Sequence, residues 1–292
     1  MVALSMADGY ARLTRKPQCV IVHVDVGTQA LAAAVHNASC GRAPVLIFAG
    51  LSPYTIEGEM RGSRTEYIHW IQDVPDQKQI VAQYCRYTAE IKTGKNVKQM
   101  VNRALQFACS DPAGPVYLCG AREVMEEDLT PYRLQQEFWN PVEPAALSDI
   151  AVKTISEALV EAKEPLIITG YSGRNHAAVP ELVKLADTVK GVRVLDTGGS
   201  DMCFPANHRA WLGLRYGIDK AIETADVIVI IDCGKCYETL QWNFELIIFR
   251  RPLDQHPMPS LKIRQNLPYR RGSTKAANAS CIFERTCSLS SR

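Results

Sequence analysis

The chain has 292 residues, which is enough for two domains that each bury a core of their own. Its composition, 47% apolar and 22% charged, is typical of a globular protein, and it contains no apolar stretch long enough to cross a membrane as a helix. The net charge of +2 is uneven, because residues 237–292 carry nine Lys and Arg against four acids. This basic tail has no nucleic-acid-binding motif, so we predict no nucleic-acid partner and no membrane partner.

The ten cysteines are dispersed along the chain, and most lie in apolar runs. This pattern favours buried, reduced thiols over a disulfide framework and therefore predicts a cytoplasmic protein. The pair Cys233-Gly-Lys-Cys236, with Cys281 and Cys287, is only half of a zinc signature. We therefore predict no metal site.

Apolar runs alternate with helical patterns through the first 125 residues. Strands are predicted at 19–26, 44–49, 80–87 and 115–119, and helices at 28–39 and 95–109. Alternation of this kind indicates a parallel sheet that is covered by helices.

A polar, proline-marked stretch at 126–147 is predicted to link two domains. A second alternation begins at Ser148, a predicted helix N-cap. Its predicted helices are 149–162, 177–190 and 218–225, and its predicted strands are 165–169, 192–196 and 226–232. The sequence thus predicts an α/β fold of two consecutive, doubly wound, mostly parallel sheets with flanking helices, both incomplete. The predicted domains are 1–125 and 148–233, and residues 234–292 are predicted to be an irregular tail.

The segment Ala7-Asp8-Gly9-Tyr10-Ala11-Arg12, the glycine turn at Gly27 and the run APVLIFAG (43–50) occur in that order. Together they resemble the N-terminal, pyrimidine-binding domain of thiamine-diphosphate enzymes of the acetolactate synthase type. The runs EPLIITGYSGRN (164–175) and ADVIVIIDC (225–233) resemble the central domain of that family.

The resemblance implies a 2-keto acid decarboxylase or carboligase that uses thiamine diphosphate and Mg²⁺. It also implies a homo-oligomer, or pairing with a full-length homologue, because the family forms its active sites between subunits. The catalytic glutamate of the family would lie before residue 1, and the chain has no Gly-Asp-Gly motif for the diphosphate. We therefore expect a truncated chain that is inactive alone, with no catalytic residue of its own. The codons for Gly234-Lys-Cys can contain an intron donor sequence, so the tail is interpreted as translated intron or out-of-frame sequence.

The resemblance also suggests which residues would contact a cofactor. Gly27, Thr28 and Gln29 form a strand-to-helix turn that could press against the aminopyrimidine ring, and Gln72 aligns with a family glutamine near the active site. A plain structural turn and a solvated loop residue are the alternatives.

A second glycine turn follows the predicted strand 165–169. Gly170, Gly173 and Arg174 could hold the phosphates of FAD or another ADP-type nucleotide, although a full Gly-x-Gly-x-x-Gly is missing. The alternative function is therefore a non-catalytic module that binds a nucleotide or pairs with a homologue.

Overall fold

The computed structural model describes residues 1–66, 74–198, 201–215 and 219–233, together with the backbone of 245–250 and 260–264. The first sheet is formed by β1 (Gln18–Val22), β2 (Val45–Leu51), β3 (Tyr87–Ile91) and β4 (Val116–Ala121). Its strand order is β1-β2-β4-β3, and every neighbouring pair is parallel. Every residue of β4 is buried, as expected for a central strand covered on both faces.

The helices of the first unit are α1 (Val2–Thr14), α2 (Val26–Gln29), α3 (Ala32–Cys40), α4 (Val97–Cys109) and α5 (Arg122–Met125). Leu4, Ala7 and Ala11 recur at helical spacing and bury one face of α1 against the sheet and α3. The other side of the sheet is covered by α4, through Ala104 and Ala108. The helices and the sheet therefore form the layers of a parallel α/β unit.

The second sheet is formed by β5 (Pro165–Thr169), β6 (Arg193–Asp196), β7 (Trp211–Leu214), β8 (Val227–Ile231), β9 (Glu245–Arg250) and β10 (Ser260–Arg264). Its order is β10-β9-β8-β5-β6-β7; only the β9–β10 pair is antiparallel. Its helices are α6 (Asp149–Glu161), α7 (Ala178–Thr188) and α8 (Lys220–Thr224). The predicted α/β fold with two mostly parallel sheets is confirmed.

Several predicted elements have different bounds in the structure. The predicted strand 19–26 ends at Val22, and the predicted helix 28–39 is divided into α2 and α3. The predicted strand at 80–87 is wrong: 3-10 helices occupy Gln77–Ile80 and Ala82–Tyr84, and β3 starts only at Tyr87. A short apolar run does not distinguish a strand from a tight helical turn, and here tertiary packing buries it as a turn.

Some elements were not predicted at all. Neither α1 nor β7 was expected, whereas Ser148 caps α6 as predicted, by accepting a hydrogen bond from the Ala151 N–H at 3.3 Å. Two segments of the predicted irregular tail form β9 and β10. The other residues after Cys233 lie outside the described residues.

In the described part of the chain, none of the helices has the length and apolar character that crossing a bilayer demands.

Candidate functional site

The predicted turn at Gly27 follows the carboxyl end of β1, and its residues Gly27, Thr28 and Gln29 lie within the four-residue helix α2. Ligands of open, parallel α/β sheets bind outside the carboxyl ends of the strands, so the turn occupies the expected edge of the first sheet. Val26 is 59% exposed, Gln29 is exposed and Gly27 is half-buried. The turn therefore presents a small surface to a ligand at that edge.

The backbone of the turn is strained at Asp25, whose φ of +49° and ψ of −85° are unusual for a residue with a side chain. Such a conformation costs about 1–3 kcal/mol and persists only where the surroundings hold it in place. The Asp25 N–H donates to Gln77 Oε1 at 2.7 Å, and its carboxylate accepts from Gln29 Nε2 at 2.6 Å. The first bond holds Asp25 to the buried Gln77, and the second joins Asp25 to Gln29 within the turn.

Gly27 lies unusually close to the end of β1. A Cβ atom at this position would stand 3.1 Å from the Val22 Cβ and 3.3 Å from the His23 Cβ, which is tighter than ordinary packing. The missing side chain at Gly27 therefore lets the chain return closely over its own strand.

A buried polar network lies under the turn. Gln77 Nε2 donates to the Gly50 carbonyl and to the Tyr117 hydroxyl, each at 2.8 Å, and Tyr117 in turn shares a hydrogen bond of 2.8 Å with the Thr28 hydroxyl. Burial raises the pKa of Tyr117, although the hydrogen bonds with Gln77 and Thr28 oppose the rise. The phenol therefore stays protonated at neutral pH and keeps its O–H as a donor.

The structure separates the residues predicted for this site. Gly27 and Gln29 lie on the turn, whereas the Thr28 side chain is fully buried in the network beneath it. Gln72 lies outside the described residues. Sequence reasoning missed Gln77 and Tyr117, although one signal was available: a tyrosine within a buried strand needs a partner for its hydroxyl.

The second predicted turn, after β5, makes close contacts inside the protein. A Cβ on Gly173 would stand 2.3 Å from the Met202 carbonyl oxygen, and one on Gly170 would stand 2.7 Å from Thr197 Oγ1. The two glycines therefore allow neighbouring loops to pack against the turn. This packing accounts for them without a bound phosphate.

Arg174 joins the two sheets through a cluster of charges. Its guanidinium pairs with Asp232 at 2.9 Å and with Asp111 at 3.6 Å. Arg42, which follows α3, pairs with the same Asp232 at 3.0 Å and stacks 4.0 Å from the centre of the Tyr171 ring. Because β6 and β8 flank β5 on opposite sides, this cluster lies at the switch point where a nucleotide would bind.

Metal and thiol chemistry find little support in the described residues. Within residues 1–66, 74–198, 201–215 and 219–233, no three His, Cys, Asp or Glu side chains come together as metal ligands would. None of the seven cysteines in that part of the chain forms a disulfide bond. Burial raises the pKa of Cys85 and of Cys119 to about 12, so both thiols stay protonated at neutral pH. Cys19 and Cys40, by contrast, are exposed, which differs from the prediction that most of the thiols are buried.

Comparison with known proteins identifies the family of the chain. Residues 1–80 match the family described as "Thiamine pyrophosphate enzyme, N-terminal TPP binding domain", and residues 152–235 match "Thiamine pyrophosphate enzyme, central domain". Together the two matches cover more than half of the chain, which therefore belongs to the thiamine pyrophosphate (thiamine diphosphate) enzymes of the acetolactate synthase type.

Individual relatives are distant. Acetolactate synthase of Bacillus subtilis is 25% identical over 250 residues, which cover 82% of this chain and 41% of the relative. The acetolactate synthase large subunit of Mycobacterium tuberculosis is 28% identical over 271 residues, or 87% of this chain and 45% of the relative. Benzoylformate decarboxylase of Pseudomonas aeruginosa is 22% identical over 246 residues, or 78% and 42%.

Solved structures share the fold. The 4-hydroxybenzoylformate decarboxylase of Rhodococcus jostii RHA1 superposes with a TM-score of 0.67 at 20% identity, over 84% of this chain and 47% of that one. Benzoylformate decarboxylase of Polynucleobacter necessarius gives 0.65 at 19% identity, over 84% and 46%. The chain thus spans less than half the length of these relatives.

Proposed function

We propose that the Gly27 turn binds the aminopyrimidine ring of thiamine diphosphate in a 2-keto acid decarboxylase or carboligase. The observation that carries the proposal is the strained turn at the carboxyl edge of the first sheet, held by a buried network and kept close to its strand by a glycine. The exposed Val26 supplies an apolar contact that suits a flat heterocycle. Relatives named acetolactate synthase and benzoylformate decarboxylase support the reaction class.

The proposal concerns only the pyrimidine half of the cofactor. They contain no Gly-Asp-Gly motif, and the described residues bring together no set of carboxylates for Mg²⁺. We propose that Mg²⁺ and the diphosphate are held by residues outside this chain. By itself, a chain of 292 residues would then be catalytically inactive.

Pairing with a second subunit, either a copy of itself or a full-length homologue, is part of the proposal. An apolar stripe formed by Val2, Met6, Tyr10 and Leu13 is exposed along α1, and such a stripe suits a protein interface. The domain bounds 1–125 and 148–233, the linker 126–147 and a cytoplasmic location remain predictions. The FAD or ADP-type nucleotide also remains a prediction, and no contact in the described residues favours it, since the Arg174 guanidinium is paired with carboxylates.

The first experiment sequences the transcript before codon 1 and beyond codon 233, and then measures CO₂ release from pyruvate and benzoylformate with thiamine diphosphate and Mg²⁺. We expect release by the product of a transcript that encodes an upstream glutamate and a downstream Gly-Asp-Gly, and none by residues 1–292 alone. Release by the 292-residue chain alone would contradict its proposed inactivity. A complete, folded transcript product without release would contradict the reaction class.

Substitutions in the protein that the complete transcript encodes test the role of the Gly27 turn. Gly27→Val should weaken thiamine diphosphate binding at least tenfold, because the new side chain displaces the turn from its strand. Gly9→Ala is the matched control, since a Cβ at Gly9 meets nothing within 4 Å. Val26→Asp, at an exposed position that leaves the fold intact, should also weaken binding. Wild-type affinity in both turn variants would overturn the assignment of the pyrimidine site.

A further inference from the structure

We propose that Gln77 is a positioning residue that fixes the orientation of the Gly27 turn for its ligand without touching that ligand. The positional role rests on contacts of the described residues, while its purpose rests on the proposed function above. Gln77 belongs to a 3-10 helix at Gln77–Ile80, far from the turn in sequence, and is only 3% exposed. It reaches the turn from beneath, from the side of the buried core.

The contacts of Gln77 require an amide. Its carbonyl oxygen accepts from the Asp25 N–H, and its NH₂ group donates to the Gly50 carbonyl and to the Tyr117 hydroxyl. An ionised carboxylate could accept but not donate, so it would face the Gly50 carbonyl oxygen without a hydrogen between them. An apolar side chain would leave the buried Asp25 N–H and Gly50 carbonyl unsatisfied, at a cost of about 1–3 kcal/mol for each group.

The bond to Asp25 acts at the point of greatest strain. The Asp25 backbone has a positive φ, and α2, which follows it, is only four residues long. A helix this short has little stability of its own, so tertiary contacts must decide its orientation. Because Gln77 accepts from the Asp25 N–H, it helps to set the direction of the backbone at the exposed Val26 and at Gly27.

A displacement of the turn would matter for a bound ring. Misplacing a reacting group by about 1 Å can cost on the order of 100-fold in rate, even when the altered residue is remote from the chemistry. Gln77 therefore acts through Asp25 and Gly27. Its loss should appear first as mobility of the turn and second as weaker ligand binding.

Hydrogen–deuterium exchange on the 292-residue chain tests the positional role without any cofactor. In Gln77→Met we expect amide protection across residues 23–31 to fall at least tenfold, while α4 and β4 remain protected. Gln79→Met is the matched control, because Gln79 is exposed on the same 3-10 helix. In this variant, the amide protection of residues 23–31 should stay within twofold of wild type. Equal protection of the turn in Gln77→Met and wild type would overturn the proposal.

Gln77→Glu distinguishes hydrogen bonding by the Gln77 amide from a role in which the side chain only fills space. When protonated, the new carboxylic acid can accept from Asp25 and donate one hydrogen bond, and burial raises the pKa of such a group. Protection of the turn should therefore be near wild type at pH 5.5 and at least fivefold lower at pH 8, after correction for intrinsic exchange. A pH-independent Gln77→Glu variant would overturn the specific role, and this variant remains informative if Gln77→Met fails to fold.

The two proposals can fail separately. Loss of protection in Gln77→Met, together with a wild-type transcript product that binds no thiamine diphosphate, would refute the proposed function but keep the positional role. Unchanged protection, together with tight cofactor binding, would refute only the role of Gln77.

Discussion

At the scale of single residues, Glu123 shows how one buried carboxylate holds a loop. It lies in α5, after β4, and its Oε1 accepts from the Thr55 N–H at 2.9 Å and from the Thr55 hydroxyl at 2.6 Å. Burial raises the pKa of Glu123, but the hydrogen bonds from Thr55 outweigh that effect and leave the pKa below its ordinary value. The ionised form therefore stabilises the folded state.

This pKa shift predicts a loss of stability in acid. A carboxylate with a lowered pKa contributes its stability above the ordinary pKa of about 4.5, and the contribution disappears as the pH falls through the folded value. Glu123→Gln should lose about 2 kcal/mol of unfolding free energy at pH 7, and less at pH 4. Urea unfolding at both pH values measures this, with Glu57→Gln, at an exposed position of the loop after β2, as the control. An equal loss at both pH values would contradict the role of the charge.

At the scale of elements, the predicted linker 126–147 is not a free connection but lies along α4. Asn102 donates to the Gln136 side chain at 3.1 Å, and Gln106 donates to the Asn140 carbonyl at 2.9 Å, so contacts recur every four residues on both segments. The Tyr132 hydroxyl accepts from the Lys98 N–H at 3.0 Å. The N-cap residue Asn96 makes no side-chain cap, so the linker caps the helix instead.

Tyr132→Phe should therefore loosen both the helix end and the linker. Loss of a helix cap costs about 1 kcal/mol, and the freed linker should be cleaved by trypsin at the exposed Arg133 several-fold faster than in wild type. Mass spectrometry of the early fragments measures the rate. Tyr54→Phe is the control, since the Tyr54 side chain is exposed and its hydroxyl donates to the Met60 sulfur at 3.6 Å. Cleavage at the wild-type rate in Tyr132→Phe would show that the cap does not hold the linker.

At the scale of the whole molecule, Asp232 connects the two sheets by bridging Arg42 and Arg174. Burial, together with the charge of Arg174, lowers the pKa of Arg42, while Asp232 opposes this change. The side chains of Arg42 and Asp232 are only 9% and 17% exposed, so their attraction is poorly screened by water. Through Asp232 and the Tyr171 ring, Arg42 thus ties the residue after α3 to the carboxyl edge of the second sheet.

Asp232→Asn should destabilise the docking of the two sheets. Removing one partner of a buried pair leaves uncompensated charge and costs about 3 kcal/mol, so calorimetry should show a lower melting temperature and separate transitions for the two units. Asp128→Asn is the matched control, because its pair with Arg61 is exposed, with side-chain exposures of 92% and 67%, and should cost less than about 1 kcal/mol. Equal melting curves for the two variants would contradict a docking role for Asp232.

The sequence predicted the layers of the fold better than it predicted the details of the site. Near-continuous apolar runs such as Val45–Leu51 and Pro165–Thr169 favour burial on both faces of the strand. Strands of this kind are typical of parallel sheets that are covered by helices on both sides. By contrast, the segment around Ile80 has the composition of a strand but forms 3-10 helices, in which Gln77 is buried and accepts a hydrogen bond from Asp25. Short segments follow such tertiary contacts rather than their own propensity.

By itself, the sequence determined the α/β fold, the family and the position of the glycine turn, because periodicity and local motifs are properties of neighbouring residues. Only the tertiary structure decided which residues support that turn and which residues join the two sheets. Gln77 lies 52 residues from Asp25, and Arg42 lies 190 residues from Asp232. Contacts over such separations arise only when strands align and bring their carboxyl ends together, and no local pattern in either segment encodes the partner.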